Sequence, residues 1–449
     1  MRRAWMAEVL PRAVWVGDWP EQLQGQWCID ARQITPGDIF VALPGSKAHG
    51  HAFVEQARLN GAAAALVSYP QNDPLPQLVV PFVEYALAQL ALAWRRQWSG
   101  RLLALTGSNG KTTVKEMLAS IVGQHTGAVV TQGNLNNHLG VPLTLLQLND
   151  EASVGIIEMG ANHVGDIANL CRIAEPDLGI VTLAAEAHLD GFGSLDGVAQ
   201  GKGEMFSSLP LDGMAIINAN DRYTDFWIAQ AGPRPRMLFG PGGDVYATDI
   251  RVHGAASDFE LHTPQGQAAV QLPASGEHNV MNALAASAGA LSLGLPLRQI
   301  VDGLQSFAPV AGRLRRLPLG PGRCLIDDSY NANPGSVLAA IAVLAGEPGP
   351  QLLCLGGMAE LGADSAQQHA RVGAAAAKAG LSALWTCGEA AAASADAAGD
   401  IARHFADRAQ LIQALRNEAQ DYQTILIKGS RSAGMDAAVS ALSQENSCD

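Results

Sequence analysis

The chain is 449 residues long, enough for about three domains of ordinary size. Apolar residues make up 48% and charged residues 16%, which excludes a disordered chain and favours several buried cores. With 29 Lys and Arg against 42 Asp and Glu the net charge is −13, which excludes a broad basic surface for nucleic acid or anionic membrane.

At the N-terminus, Glu8, Pro11 and Arg12 interrupt any apolar core that a signal peptide would need, so no export is expected. The first 80 or so residues carry strand-like runs at 39–43 and 64–67 and a helix-like segment at 52–59. They end in a stretch holding Pro70, Pro74, Pro76 and Pro81, which reads as a linker. A helical pattern over 85–98 then leads into an apolar strand, 102–105. It stops at Thr106-Gly107-Ser108-Asn109-Gly110-Lys111-Thr112-Thr113. Beyond the glycines, Val114, Met117, Leu118, Ile121 and Val122 recur at the spacing of an amphipathic helix, so the order is strand, glycine turn, helix.

Apolar runs at 154–157, 178–181 and 214–217, separated by helix-like segments, predict a mainly parallel sheet. A second change comes at 308–312, after which the alternation restarts with strands at 324–326, 352–355, 381–385 and 424–427 and helices at 334–344 and 366–379. No GxGxxG follows the first of these strands, so a dinucleotide is not expected there. No run reaches the about 20 apolar residues of a membrane span. Cys28, Cys171, Cys324, Cys354, Cys387 and Cys448 are too scattered for a zinc or disulfide pattern and read as inert core thiols of a protein in a reducing cytoplasm.

Residues 107–113 offer what a triphosphate needs: successive backbone N–H groups at a helix N-terminus, a lysine for the terminal phosphates and hydroxyls for magnesium. The usual GxxxxGK[ST] pattern would place glycine where Leu105 stands, so this is a shortened variant. Glu158 ends the strand at 154–157, where a carboxylate can meet a loop-bound magnesium ion or merely cap a helix. His188 and Lys202, each alone, read as a packed histidine and a solvated charge. Residues 134–142, with Asn134, Asn136, Asn137 and His138, form a loop rich in neutral donors and acceptors, suited to a polar ligand or to a set of Asx turns. Asp327-Asp328-Ser329-Tyr330-Asn331-Ala332-Asn333-Pro334 again lies between a strand and a helix, and capping explains only one of its acids.

Taken together these motifs resemble the Mur ligases, the ATP-dependent amide ligases of bacterial cell-wall precursor synthesis. The residues from Thr106 to Thr113, with Glu158, His188 and Lys202, carry the family-wide likeness. Residues 134–142, 158–167, 187–189, 192–194, 328–336 and 356–362 carry a likeness to the branch that joins D-alanyl-D-alanine to a UDP-N-acetylmuramoyl tripeptide. The resemblance implies an α/β protein of three domains: a small UDP-sugar-binding domain, 1–82; a central P-loop-type domain with a mainly parallel sheet, 83–312; and a Rossmann-like domain, 313–449. It places ATP on Lys111 and the loop from Thr106, Gly107, Ser108, Asn109 and Gly110 to Thr112 and Thr113. One magnesium ion falls to Thr112 and Glu158, a second to His188 and a carbamylated Lys202. Asn279 and Asn282 take the adenine side, and Arg313 and Asp328 reach ATP from the third domain. Asp30, Arg32, Asn134, Asn136, Asn137, Tyr330, Asn331 and Asn333 fall to the two other substrates.

The likeness implies a monomer with small-molecule substrates and no nucleic-acid or membrane partner. It departs at Asp30-Ala31-Arg32, where the family has Asp-Ser-Arg, and at His49-Gly50-His51, where it has Asp-Gly-His. The Asp-Asn-Pro-Arg signature of the diaminopimelate-adding relative is missing from the third domain. A folylpolyglutamate-type ligase would share the ATP loop, and a nucleotide-gated binding protein could use the same loop as a switch. Because the expected ATP ligands are divided between two domains, closure of one on the other is expected.

Overall fold

A computed structural model describes residues 1–45, 49–123 and 127–445. Within it the central sheet has six parallel strands, in the order Arg236–Phe239, Met214–Asn218, Leu178–Val181, Arg101–Thr106, Ala152–Glu158, Gly127–Val130. Every residue of Arg101–Thr106 after Arg101 is buried, as expected of a strand covered on both faces. After this strand the chain runs first to one side and then to the other, so the order reverses around it. Ligand crevices in such sheets open at the carboxyl end of a strand beside that reversal. Thr106, Glu158 and the segment after Val181 all emerge there.

The third unit repeats the scheme. Its sheet runs Arg315–Pro318, Cys324–Asp328, Thr424–Lys428, Gln351–Gly356, Ala383–Cys387, Ala402–Phe405, parallel except for the first strand. Asp328 and Lys428 are register partners at the carboxyl ends of adjacent strands. Asn333 starts the helix Pro334–Ala345 with a reciprocal capping box to Ser336 and with proline at the first turn.

The N-terminal sheet corrects the linker expected at 70–81. Gln77–Val79 is an inner strand, antiparallel to Val14–Val16 and parallel to Ala64–Val67. The prolines flank it and remove no ladder donor, and the buried Gln77 amide is bonded to Gln71 and Asp73. A further antiparallel sheet, Tyr246–His253, Ala256–Thr263, Gly266–Leu272, was not expected. Its middle strand alternates buried and half-buried residues, and its apolar side joins the core around the helix Glu277–Ser292.

One apolar core runs from Met6 to Ala231 and is shared by the N-terminal sheet and one face of the central sheet. A second core covers the other central face, while the third unit has cores of its own on each side of its sheet. Cys171, Cys354 and Cys387 are buried, as expected; Cys28 and Cys324 are only half-buried, and Cys448 lies outside the described residues. Among the described residues no helix is long and apolar enough to cross a membrane.

The helix Leu297–Gln305 holds Lys111–Gly123 in place from behind. Gly303 lies so close that an added Cβ would stand 2.3 Å from the Ile121 Cα, while its carbonyl accepts from Ser120 Oγ at 2.7 Å and Gln299 Nε2 donates to the Ile121 carbonyl at 3.0 Å. Gly303→Ala should therefore destabilise the central unit by about 1–3 kcal/mol, measured as a lower urea midpoint. An unchanged midpoint would contradict this account of the packing.

Candidate active site

The glycine turn is shaped by its neighbours. Gly107 (φ +148°) and Gly110 (φ +82°) adopt conformations unfavourable to a side chain, and a Cβ would stand 1.8 Å from Thr182 Oγ1 in the first case and 2.3 Å from Asn282 Oδ1 in the second. The turn is pinned to the adjacent strand end: Ser108 N donates to the Leu183 carbonyl at 3.0 Å, Thr182 Oγ1 to the Asn109 carbonyl at 2.6 Å, and Ser108 Oγ to the Ala185 carbonyl at 3.1 Å. Lys111 Nζ folds back on the Gly107 carbonyl at 2.6 Å. Enclosure lowers the Lys111 pKa, opposed by Glu158 and reinforced by Arg313.

Glu158 is bonded on both oxygens. Oε2 accepts from Thr112 Oγ1 at 2.9 Å and Oε1 from Asn136 Nδ2 at 2.8 Å. Asn137 is different: its Oδ1 accepts from Leu139 N and Gly140 N, the Asx-turn reading of that loop. The loop also ends sooner than expected, because Gly140–Leu145 is a helix. Asn134 and Asn137 still line the cavity described below.

The third unit is docked directly on this turn. Arg313 Nη2 donates to Thr112 Oγ1 at 2.8 Å, and Asn109 and Asn333 exchange amide hydrogen bonds of 3.3 and 2.7 Å. The Arg313 guanidinium stacks on Tyr330, 4.4 Å from the ring centroid, with Arg431 at 6.0 Å. Buried Lys428 donates to Asp328 Oδ2 at 2.6 Å and to the Asn331 carbonyl at 2.9 Å. Burial raises the Asp328 pKa and Lys428 holds it down. Lys428 and Arg431 were not among the expected site residues. The signal was present, since Lys428 ends an apolar strand as Glu158 does.

These groups surround one cavity of about 1380 Å³, lined among others by Ser108, Asn109, Gly110, Lys111, Thr113, Glu158, His188, Asn279, Asn282, Arg313, Asp328, Tyr330, Asn331, Asn333 and Lys428. Asn282 Nδ2 donates to Asn279 Oδ1 at 3.1 Å, and Asn279 is tied to the Ser275 carbonyl at 2.8 Å. His188 meets Glu360 of the third unit. Lys202 is buried behind the cavity, its Nζ 3.1 Å from the Ala161 carbonyl and 5.1 Å from the centre of the Phe192 ring. Burial, then nearby Lys111, lowers its pKa well below that of a free lysine. Asp30 and Arg32 are not brought here. They form a bidentate pair of 2.9 and 2.7 Å with each other, and no residue before Ser108 lines the cavity among the described residues.

The cavity suits a polyanion with a hard cation. Lys111, Arg313, Lys428 and Arg431 converge on it from two units, and Arg313 Nε is a buried polar atom with no protein partner. Among the described residues no cluster of three or more His, Cys, Asp and Glu side chains forms a dedicated metal cage. The adjacent oxygens of Thr112 and Glu158 match the sparse protein ligation of magnesium, which keeps several waters.

A parallel-sheet cavity with a glycine turn and lysine, closed by a second α/β unit, suits an ATP-dependent ligase, and comparison with known proteins gives it a family. The Mur ligase middle domain matches residues 105–290, the glutamate ligase domain of Mur ligases 312–431, and the Mur ligase family catalytic domain 27–95. The chain belongs to the Mur ligase family. It is 46% identical to the UDP-N-acetylmuramoyl-tripeptide--D-alanyl-D-alanine ligase of Escherichia coli K12, over 93% of this chain and 94% of that one. The Haemophilus influenzae protein of the same name is 38% identical, over 93% of both chains. The crystal structure of MurF from Acinetobacter baumannii superposes with a TM-score of 0.91 at 37% identity, covering 99% of this chain and 98% of the other.

His278, which lines the cavity near Lys428, gives the site a pH signature. Burial, then Lys428, pushes its pKa down to about 4 from the ordinary 6.5. Between those values the unfolded chain holds a proton that native His278 does not, so native stability falls as pH falls, by up to about 1.4 kcal/mol per pH unit. His278→Gln removes this component. Urea titrations of both proteins at pH 7 and pH 5 should show wild type losing more stability than the variant; equal losses would refute the assignment.

Proposed function

We propose that this protein joins D-alanyl-D-alanine to a UDP-N-acetylmuramoyl tripeptide, with ATP hydrolysed to ADP and phosphate, in peptidoglycan precursor synthesis. The observation that carries the reading is the cavity in which Lys111 and Glu158 meet Arg313, Asp328 and Lys428, with Thr112 bonded to both Glu158 and Arg313 at its edge. The names and high coverage of the similar ligases support it, as does the 25% identical Thermotoga maritima MurF, solved with ADP and superposing at a TM-score of 0.80. Diaminopimelate in the name of a 36% identical Acinetobacter baumannii ligase supports that amino acid as the third residue of the tripeptide.

In this reading residues 1–82 hold the UDP-sugar, with Asp30 and Arg32 among the candidate contacts, 83–312 hold ATP and 313–449 admit the dipeptide. A carboxylate is a poor electrophile, and transfer of the γ-phosphoryl group makes one of its oxygens a leaving group. Lys111 and the turn amides hold the phosphates, and Arg313 offsets charge from the other side. Asn279 and Asn282 face the adenine; Asn134, Asn136, Tyr330, Asn331 and Asn333 position the acceptor and the dipeptide. The dipeptide amine has an ordinary pKa near 8, so part of it is neutral and nucleophilic at pH 7 without a dedicated base. Docking of the third unit excludes water that would hydrolyse the acyl phosphate.

Thr112 and Glu158 would hold one magnesium ion, and His188 with a carbamylated Lys202 a second. Bound magnesium supplies positive charge to the transferring phosphoryl group. The lowered Lys202 pKa supports the modification, because a neutral amine is the form that adds carbon dioxide, releasing a proton. The buried free thiols Cys171, Cys354 and Cys387 support a reducing, cytoplasmic setting, in which we propose a monomer.

Purified protein should release phosphate from ATP only with both substrates present and should form product of the expected mass. Lys111→Ala should slow this by about 10²- to 10³-fold. Phosphate release that ignores the substrates, or that follows folate instead, would overturn the reading. A folylpolyglutamate synthase from Mycobacterium tuberculosis shares the fold at a TM-score of 0.65 and 17% identity. Lys202→Ala should lose most activity and regain part of it with short carboxylic acids; no recovery would count against a carbamate.

A further inference from the structure

Residues 356–362 have no part in the chemistry so far, yet they form a shaped projection from the third unit. Met358 and Leu361 are buried anchors on either side of Glu360. The Met358 N–H donates to His369 Nε2 at 2.9 Å and the Gly357 carbonyl accepts from Ser430 N at 3.0 Å, so the loop is fixed to its own unit. Between the anchors Glu360 takes a left-handed conformation, φ +61°, and its carboxylate reaches Nδ1 of His188 in the central unit. His188 is itself left-handed, φ +56°. Non-glycine residues rarely adopt this conformation, and here two of them meet at one contact between units. The same faces touch again at Arg371 and Glu186, 3.0 Å apart.

Imidazole has two inequivalent nitrogens, and a carboxylate on Nδ1–H fixes both the tautomer and the ring orientation, leaving the Nε2 lone pair available. We propose that Glu360 is a positioning residue: reaching over from the third unit, it accepts the Nδ1–H of His188 and holds the imidazole with Nε2 free to serve the reaction. His188 is then correctly set only when the third unit is docked, so the unit that admits the dipeptide also completes the central site. This rests on the reading of His188 as a cation-holding group given above.

The test uses the full-length protein. Glu360 is half-exposed, so Glu360→Leu, near in shape but unable to accept a hydrogen bond, should fold normally. It should lower kcat about 10- to 100-fold and raise the magnesium concentration for half-maximal rate by a similar factor, while KM for ATP and for UDP-tripeptide stays within about twofold. Glu360→Gln should fall between. Long-range ¹H–¹⁵N spectra of histidine-labelled protein, with the His188 signals assigned by their loss in His188→Gln, should show the Nδ1–H tautomer in wild type and a mixture in Glu360→Leu. Arg371→Ala breaks the neighbouring contact and should change neither the magnesium dependence nor the tautomer.

A Glu360→Leu variant with wild-type kcat and tautomer, beside an inactive His188→Gln, would overturn the role of Glu360 and leave that of His188 standing. Full activity in both variants would overturn both. An Arg371→Ala variant as impaired as Glu360→Leu in rate and magnesium dependence would reduce the contact to general docking and also overturn the proposal.

Discussion

The enclosure of one ammonium group, Lys111, beneath a glycine turn constrains everything around it. A desolvated cation is costly unless an anion or several oxygens face it, and this one has the Gly107 carbonyl at 2.6 Å and Glu158 nearby. Glu158 in turn is shared with Thr112 and Asn136, which fixes the carboxylate on two sides. Arg313 adds positive charge that lowers the Lys111 pKa further, and Lys111 in turn lowers that of buried Lys202. The balance left over is positive and polar. A polyphosphate accompanied by a hard cation is the kind of ligand that completes it.

The second cationic group, Lys428, is treated differently. It has its own carboxylate, Asp328, at 2.6 Å, and the two sit on paired strands where the register makes them face each other. This pair is buried and complete, so it orders the mouth of the third unit and leaves Arg313 and Arg431 to face the cavity over Tyr330. The two cationic groups are thus satisfied differently in the two units, and the cavity lies between them.

How much of this could be read from the sequence depended on how local each cause is. The strand, glycine turn and helix around Lys111 are specified by neighbouring residues, and the structure has them at Arg101–Thr106 and Lys111–Gly123. Glu158 was legible because a parallel strand delivers its last residue to one edge of the sheet. Lys428 obeys the same rule, but its partner lies 100 residues away, and only the register of two strands shows the pairing. The strand Gln77–Val79 was hidden by prolines that fall at its ends, where they remove no sheet hydrogen bond. Ala256–Thr263 and its partners did carry an alternating pattern, and the turn residues Gly254 and Gly266 bound it. Asp30 and Arg32 were expected to face the UDP-sugar by motif alone, and what the local geometry of a short 3-10 turn shows is that each is tied to the other.

The two junctions between units differ in kind, and that difference bears on how a site divided between them can work. The N-terminal sheet and the central sheet share one apolar core, in which Met6, Leu23 and Ile39 belong with Leu90, Ile157 and Phe206. Separating those surfaces would expose apolar area at roughly 25 cal/mol per Å², so the two behave as one body. Between the central and third units the contacts are of another sort: Arg313 on Thr112, Asn333 on Asn109, Glu360 on His188 and Arg371 on Glu186. Each is a polar pair that water can replace on both sides, so each contributes little net free energy to holding the units together. Gly312, at φ +74° and packed against Tyr330, lies just before the first strand of the third unit, Arg315–Pro318, and its N–H donates to Asp327 Oδ2 at 2.9 Å. Exchangeable polar contacts thus set the third unit against the glycine turn, while apolar burial ties the first two sheets together on the other side.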